Sequence, residues 1–310
     1  MRVLITGGAG FLGSALANRL AGQGHTVLVL DDLTAGDPRR LSPDVLLTRG
    51  DVKDVPKLWT LLQGVDCVYH LAARVRVPES IHYPSDYNTV NVGGTVAVME
   101  AVRDTGVCRV VFASSGALYG EQEQQPISES QVPKPNSPYG VSKIAAEYYV
   151  STLGRLYDIE TVALRIFNAY GPGQELPPSY PPLIPQLLRQ AQTGGSMVIF
   201  GDGRQTRDFV FLDDVLDALV LAATAGDANR ATVNIGSGQE ISINDVAQCA
   251  ARVTGKQVNL LHNQSQSGGV SRLVADVTLA QALLGWTPHT SLEEGLRLTL
   301  ERDPRFRRDR

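Results

Sequence analysis

Short apolar runs alternate with longer amphipathic stretches through the first half of the chain. Residues 2–5 (RVLI) read as a buried strand and 11–22 as a helix; 25–30 (HTVLVL) form a second strand and 66–70 (DCVYH) begin another. Residues 91–106 have helical character, 109–113 (RVVFA) return to strand, 139–156 make a long helix, and 160–167 (ETVALRIF) rejoin the sheet. Strands that are apolar on both faces and alternate with helices predict a parallel sheet covered on both sides. Past Tyr170 the texture changes. Gly171, Pro172, Gly173, Pro177, Pro178, Pro181, Pro182 and Pro185 break any long helix, with a short one expected at 184–193. Residues 209–225 and 233–235 are expected to rejoin the main sheet, and 243–254 and 277–284 to be helices of a smaller C-terminal lobe. The expected division is therefore 1–168 plus about 208–236 for a Rossmann-type doubly wound domain, and about 169–207 plus 237–300 for a smaller α/β substrate lobe. Residues 301–310 are expected to be a frayed tail.

Composition narrows the class. Across 310 residues, 43% hydrophobic and 19% charged positions suit a soluble globular enzyme, and a net charge of −4 gives no reason to expect nucleic acid or a membrane surface. Cys67, Cys108 and Cys249 are scattered and lie in or beside apolar stretches, which points to reduced, buried thiols and a cytoplasmic setting. The histidines lack metal-ligand spacing, so no metal is expected. Met1 runs straight into a strand pattern, not a signal peptide.

Two clusters carry chemistry. Gly7, Gly10 and Gly13 follow the first strand and open the first helix, with Phe11 and Leu12 in the turn. Glycine there allows a tight turn and lets backbone approach a pyrophosphate at a helix N-terminus. Asp31 ends the second strand, where a carboxylate accepts ribose hydroxyls and repels a 2′-phosphate; NAD is expected over NADP. Asp32 reads as a turn residue. In the second cluster, spacing of four puts Tyr139 and Lys143 on one helix face. A free phenol is a weak base at neutral pH, and a nearby lysine together with a nicotinamide cation would favour the phenolate. Ser114 and Ser115 end a strand where a parallel sheet presents side chains to its ligand crevice.

With these motifs the chain resembles the extended short-chain dehydrogenases that act on nucleotide-sugars, over about residues 2–290. The resemblance is carried by TGGAGFLG (6–13), GDV (50–52), HLAA (70–73), NVGGT (91–95), SSGALYG (114–120), SPYGVSK (137–143), RIFNAYGPGQ (165–174), GDGRQTRDFVFLDDV (201–215) and LGWTP (284–288). It implies Tyr139 as catalytic base, Lys143 as its partner and ribose anchor, and Ser115 as the second proton-handling group. It also implies Asp51 and Val52 beside the adenine, Leu71, Ala72 and Ala73 along the cofactor cleft, Ser114 at the cofactor, and Asn91 ordering the site. On the substrate side it implies Asn168 at the diphosphate or sugar and Arg207 at the diphosphate. A homodimer through a four-helix bundle is a further implication.

Gly116-Ala117 follow Ser115 where related dehydratases and decarboxylases carry acids, which favours simple epimerisation at C4 with NAD recycled. Asparagine at 168 resembles epimerases of neutral UDP-hexoses, such as UDP-glucose and UDP-galactose. Gln266 and Gly269 stand where relatives have a diphosphate-binding arginine and a ribose-binding aspartate, with Arg272 a partial substitute; some uronate epimerases share that glutamine. Leu273 occupies the position that gates N-acetyl sugars, so UDP-N-acetylglucosamine is expected to be a poor substrate. UDP-glucuronate 4-epimerase and another nucleotide-sugar oxidoreductase, such as a 4-ketoreductase, remain the alternatives.

Overall fold

The computed structural model describes residues 1–264 and 269–307. Through the first half the elements are β1 (Arg2–Thr6), α1 (Phe11–Gly22), β2 (Thr26–Asp31), β3 (Leu46–Arg49), α2 (Val55–Leu61), β4 (Cys67–His70), α3 (Val77–His82), α4 (Pro84–Tyr87), α5 (Gly94–Thr105), β5 (Arg109–Ser115), α6 (Pro138–Leu156) and β6 (Glu160–Ile166). There follow β7 (Asn168–Tyr170), α7 (Leu183–Thr193), β8 (Ser196–Phe200), β9 (Thr206–Arg207), β10 (Phe209–Phe211), α8 (Leu212–Ala222), β11 (Ala231–Ile235), β12 (Ile241–Ser242), α9 (Ile243–Thr254), β13 (Asn259–Asn263), α10 (Thr278–Leu284) and α11 (Leu292–Arg302).

Seven strands form one parallel sheet in the order β11-β6-β5-β4-β1-β2-β3. The order reverses between β1 and β4, and a doubly wound sheet opens its ligand crevice outside the carboxyl ends of strands at such a switch. Each face carries its own core. Val3, Ile5, Val27 and Val29 pack with α1 and α8, whereas Leu4, Leu28, Leu30, Val68 and Val110 pack with α2, α5 and α6. Strands apolar on both faces have nowhere to go but between two helical layers.

A third core lies beyond the sheet. Ile184, Leu187, Leu188 and Ala191 of α7 meet Ile243, Val246, Ala247 and Ala250 of α9, together with Met197, Ile199 and Leu296. Each of the isoleucine, leucine, valine and methionine side chains, once buried, contributes about 1.5–3 kcal/mol. A parallel β8–β13 pair completes this lobe.

Four expectations need correction. Phe209–Phe211 does not rejoin the main sheet; β10 pairs with β7 in a separate two-stranded ribbon, because the chain has already bent away after β6. Helix α10 and Trp286, assigned to the small lobe, pack on the main core through Ala280, Leu284 and Trp286, and the Trp286 indole donates to the Asp214 carbonyl at 2.8 Å. The end of the chain is not frayed through 307: Asp303 and Phe306 are buried, and Phe306 joins the small lobe's core. Cys108 is exposed, while Cys67 and Cys249 are buried as expected.

Candidate active site

The glycine loop leaves β1 with Gly7 at φ +70°, a left-handed turn that suits glycine. A Cβ on Gly7 would lie 2.7 Å from the Ala72 backbone, and one on Gly13 would lie 2.2 Å from the Gly7 carbonyl oxygen. The loop is therefore wedged between the 71–72 backbone and its own helix. Helix α1 starts at Gly10 with no side-chain cap, so its first-turn N–H groups, including those of Phe11 and Leu12, have no side-chain acceptor. Free N–H groups at a helix start are of the kind that can receive an anion.

Asp31 closes the loop from the side. One carboxylate oxygen accepts the Ala9 N–H and the other the Leu33 N–H, both at 2.9 Å. Each oxygen keeps lone pairs for further donors. Asp32 behaves as a turn residue, accepting the Thr34 N–H at 2.9 Å. Asp51 is exposed and tied to Lys53; Val52 is buried so tightly under α5 that a Cβ on Gly94 would meet its methyl at 2.5 Å. Leu71, Ala72 and Ala73 are half-buried where β4 ends at the switch point, with the Leu71–Ala72 backbone packed against Gly7.

Helix α6 begins where it does because Ser137 caps it, its Oγ accepting the Gly140 N–H at 3.2 Å, and Pro138 fills the first helical position. Tyr139 thus falls in the first turn and Lys143 one turn on, both buried. Asn91 lies in a π-helical stretch, Asn88–Gly93, just before α5. Its amide receives the Arg74 N–H at 2.8 Å and donates to the Arg74 carbonyl at 3.0 Å and to Ser142 Oγ at 2.9 Å. Ser142 in turn donates to the Tyr139 carbonyl at 2.8 Å. Asn91 thereby clamps the post-β4 loop to the tyrosine's own turn.

Burial pushes the Tyr139 phenol above its ordinary value, opposed by a hydrogen bond with Ser115. Burial also brings the Lys143 ammonium down to about 7, with Glu147 opposing. The expectation that Lys143 lowers Tyr139 is not met within the protein's own field: desolvation dominates both groups. Lys143 also sits 4.4 Å from the centre of the Phe112 ring.

Behind this pair runs a buried network that sequence reading did not find. The Ser114 hydroxyl donates to Glu147 at 2.6 Å, so that side chain is turned into the protein. Glu147 forms a two-pronged pair with Arg165, at 2.6 and 3.1 Å, and Arg165 donates to the Tyr119 hydroxyl at 2.7 Å. The Tyr119 hydroxyl donates on to Asn234 at 2.8 Å. A signal was available, since Glu147 lies four residues past Lys143 on the same helix face. Asp208 was missed too. Fully buried, it accepts from the Ser237 N–H and hydroxyl, the Gly238 N–H and the Ala275 N–H, pinning the segments around the substrate side together.

On that side Asn168 donates to the Asp208 carbonyl at 3.0 Å. Arg207 donates to the Val270 carbonyl at 2.6 Å, which sets its guanidinium against the 269–272 segment, and burial lowers its pKa. Gly269 has φ +76°, a backbone that favours glycine over the aspartate of relatives. Arg272 is not a free cation: Glu240 grips it at 2.6 and 2.7 Å. Leu273 is buried with Leu118, Tyr119, Ile127, Phe167 and Ala275. Gln266 lies outside the described residues.

Fold and site define a class: a Rossmann-type α/β protein with a glycine turn leading into an uncapped first helix, an aspartate at the end of its second strand and a Ser–Tyr–Lys set at the carboxyl edge of its sheet. The chain belongs to the NAD dependent epimerase/dehydratase family, whose profile matches residues 3–236. A UDP-glucose 4-epimerase of Mycolicibacterium smegmatis is 37% identical over 309 residues, covering 97% of this chain and 98% of that one. The Thermotoga maritima UDP-glucose 4-epimerase, solved with UDP-glucose, superposes with a TM-score of 0.93 at 33% identity, covering 97% and 98% of the two chains. MoeE5, solved with UDP-glucuronic acid and NAD, has a TM-score of 0.87 at 38% identity over 97% and 98%.

Proposed function

We propose that this chain is an NAD-dependent 4-epimerase of UDP-hexoses, interconverting UDP-glucose and UDP-galactose. The observation that carries the reading is the buried Ser115–Tyr139–Lys143 set in which Gly116 and Ala117, and no acid, follow Ser115; a Cβ on Gly116 would meet the Phe167 ring at 3.0 Å. Full-length similarity to UDP-glucose 4-epimerases supports it.

The residues fit NAD. Gly7 and Gly13 have no room for a Cβ, the first turn of α1 offers N–H groups to a pyrophosphate, and Asp31 offers oxygens to ribose hydroxyls. Bound there, NAD supplies reversible hydride acceptance from the sugar carbon. Tyr139 would take the proton from the C4 hydroxyl and give it back to the same oxygen once the 4-keto sugar has turned and the hydride has been restored to the other face of C4. Ser115 hydrogen-bonds the reacting oxygen, and Lys143 supports the phenolate. Asn168 and Arg207 hold the diphosphate end. Leu273, at the lobe boundary, limits N-acetyl substrates.

Incubating the protein with NAD and each of UDP-glucose, UDP-glucuronate and UDP-N-acetylglucosamine, with anomeric protons followed by NMR, tests the reading. A galacto-type signal from UDP-glucose without net NADH is expected, and UDP-N-acetylglucosamine should turn over far more slowly. No change in any component, or consumption of free NADH, would end the epimerase reading.

A homodimer joins this proposal. Val141, Tyr148, Tyr149 and Leu156 leave an exposed apolar face on α6, and α5 packs beside it; two such pairs would make a four-helix bundle. Tyr148→Glu with Leu156→Glu should convert a dimer to a monomer in light scattering; an unchanged mass would refute the bundle. A cytoplasmic setting accords with the free thiols of Cys67 and Cys249. No helix among the described residues is long and apolar enough to cross a membrane.

A further inference from the structure

One ion pair joins the loop after β4 to the turn after β7 and takes no part in the chemistry above. Arg76 precedes α3, and its carbonyl accepts the Ser80 N–H at 3.0 Å and the Tyr87 hydroxyl at 2.6 Å. Both of those residues hold the reacting tyrosine. Ser80 Oγ accepts the Tyr139 N–H at 3.2 Å, and the Tyr87 ring stands edge-on to that of Tyr139 with centroids 6.3 Å apart. Glu175 arrives from the opposite lobe, at the end of the turn that follows Asn168. That turn is fastened by the chain's last segment: the Gly173 N–H donates to Asp303 at 2.8 Å, and Arg305 donates to the Gln174 carbonyl at 2.6 Å. Between the two sides, Arg76 and Glu175 meet at 3.2 Å, with side chains 33% and 29% exposed.

Among the described ion pairs Glu175 is the one carboxylate on Arg76; the neighbouring Arg74 takes Asp86, and Glu79 receives the Tyr87 hydroxyl. The Arg76 backbone is tied to two residues that touch Tyr139 while its side chain reaches the turn after Asn168, so the pair lies between the tyrosine's loop and the segment that follows β7. C6 of a hexose is bonded to C5, next to C4, so a carboxylate at C6 is held beside the reacting carbon. Guanidinium is the side chain best matched to such a group.

We infer that Glu175 is a specificity-determining residue: by occupying Arg76 it makes the sugar end favour a neutral hexose over a hexuronate. This rests on the epimerase reading. A hexuronate must displace Glu175 from a half-exposed pair and then endure its charge nearby, whereas a neutral hexose leaves the pair in place.

The test compares wild type, Glu175→Gln, Arg76→Gln and the double variant, each with NAD, for turnover of UDP-glucose and UDP-glucuronate. Binding of both nucleotide-sugars is measured in parallel by calorimetry. Wild type should favour UDP-glucose. In Glu175→Gln the ratio of kcat/KM for UDP-glucuronate over UDP-glucose should rise roughly tenfold, one freed Arg–carboxylate contact, with UDP-glucuronate binding tightened to match. In the double variant the ratio should fall back to the wild-type value or below. A ratio unmoved in folded Glu175→Gln overturns the inference, as does an equal rise in the double variant, since Arg76 would then not be the receptor. Loss of turnover on both substrates in step would mark the pair as a structural strap instead. A wild type inert on both sugars defeats the epimerase reading, and the calorimetric arm still decides whether Glu175 sets the preference.

Discussion

Tyr139 and Lys143 show what burial does to a reactive pair: both are moved toward their uncharged forms, the phenol upward and the ammonium down to about 7. The lysine's lowered value makes it a stability liability with a definite pH window. Unfolded, Lys143 keeps its proton to near its ordinary value of about 10.4; folded, it gives the proton up around 7. Between those limits the unfolded state binds more protons, so stability from this group rises with pH, and below about 7 the penalty is constant. Lys143→Met should therefore raise Tm of the protein without ligands at pH 7 while removing turnover, and the gain should shrink toward pH 10. Thermal melts across that range check it; a Tm lowered at pH 7 would contradict the sign. His70 gives the same case at acid pH. Buried between Thr6 and Thr95, at 2.7 and 2.9 Å, its pKa is lowered to about 3 by desolvation, with Lys143 adding to the effect. Its contribution should be lost as pH falls from about 6.5 toward 3, and His70→Gln should flatten that acid limb in denaturant titrations. Tyr139→Phe should cost roughly 10²–10⁴ in kcat with the far-UV spectrum unchanged.

At the scale of elements, helix ends place the chemistry. Ser137 and Pro138 start α6 so that Tyr139 enters the first turn, and the absent cap on α1 leaves N–H groups for an anion. Ser137→Ala should lower stability by about 1 kcal/mol and reduce kcat more than it changes KM, because the tyrosine's turn frays. Gly13→Ala forces a Cβ to within 2.2 Å of the Gly7 carbonyl. The loop must shift, and calorimetry should show NAD binding weakened at least tenfold; undiminished affinity would mean the loop is not the pyrophosphate site. These elements were legible because caps, glycines and apolar periodicity are local signals. Helices at 243–254 and 184–193 matched their patterns almost to the residue. Strand Phe209–Phe211 was misplaced because an apolar triplet names a strand without naming its partner.

At the scale of the molecule, the C-terminal segment is a latch and not a tail. Asp303 is 1% exposed, takes a two-pronged grip from Arg305, and its pKa is lowered chiefly by that pairing against the cost of burial. Phe306 anchors the latch in the small lobe, and its carbonyl accepts from Gln192 at 2.8 Å. Phe306→Ala should cost about 3–5 kcal/mol, read as an early transition in denaturant, and should loosen the 171–175 turn that bears Glu175. Charge-rich termini read as solvated in sequence because the partners that bury them, here Gly173 and Gln174, lie some 130 positions away along the chain.

The amino-acid sequence alone determined the strand–helix alternation, the glycine turn after the first strand and the placing of Tyr139 and Lys143 on one helix face, since each is written in spacing over a few residues. Tertiary structure alone decided which carboxylates are used and for what. Glu147 holds Arg165, Asp208 gathers four donors, Asp303 locks the last segment, and Glu240 and Glu175 occupy Arg272 and Arg76. The reason is physical. A charged side chain's role depends on its partner and on the water removed around it, and both are set by segments far apart in sequence that meet only when the sheet and the small lobe are built.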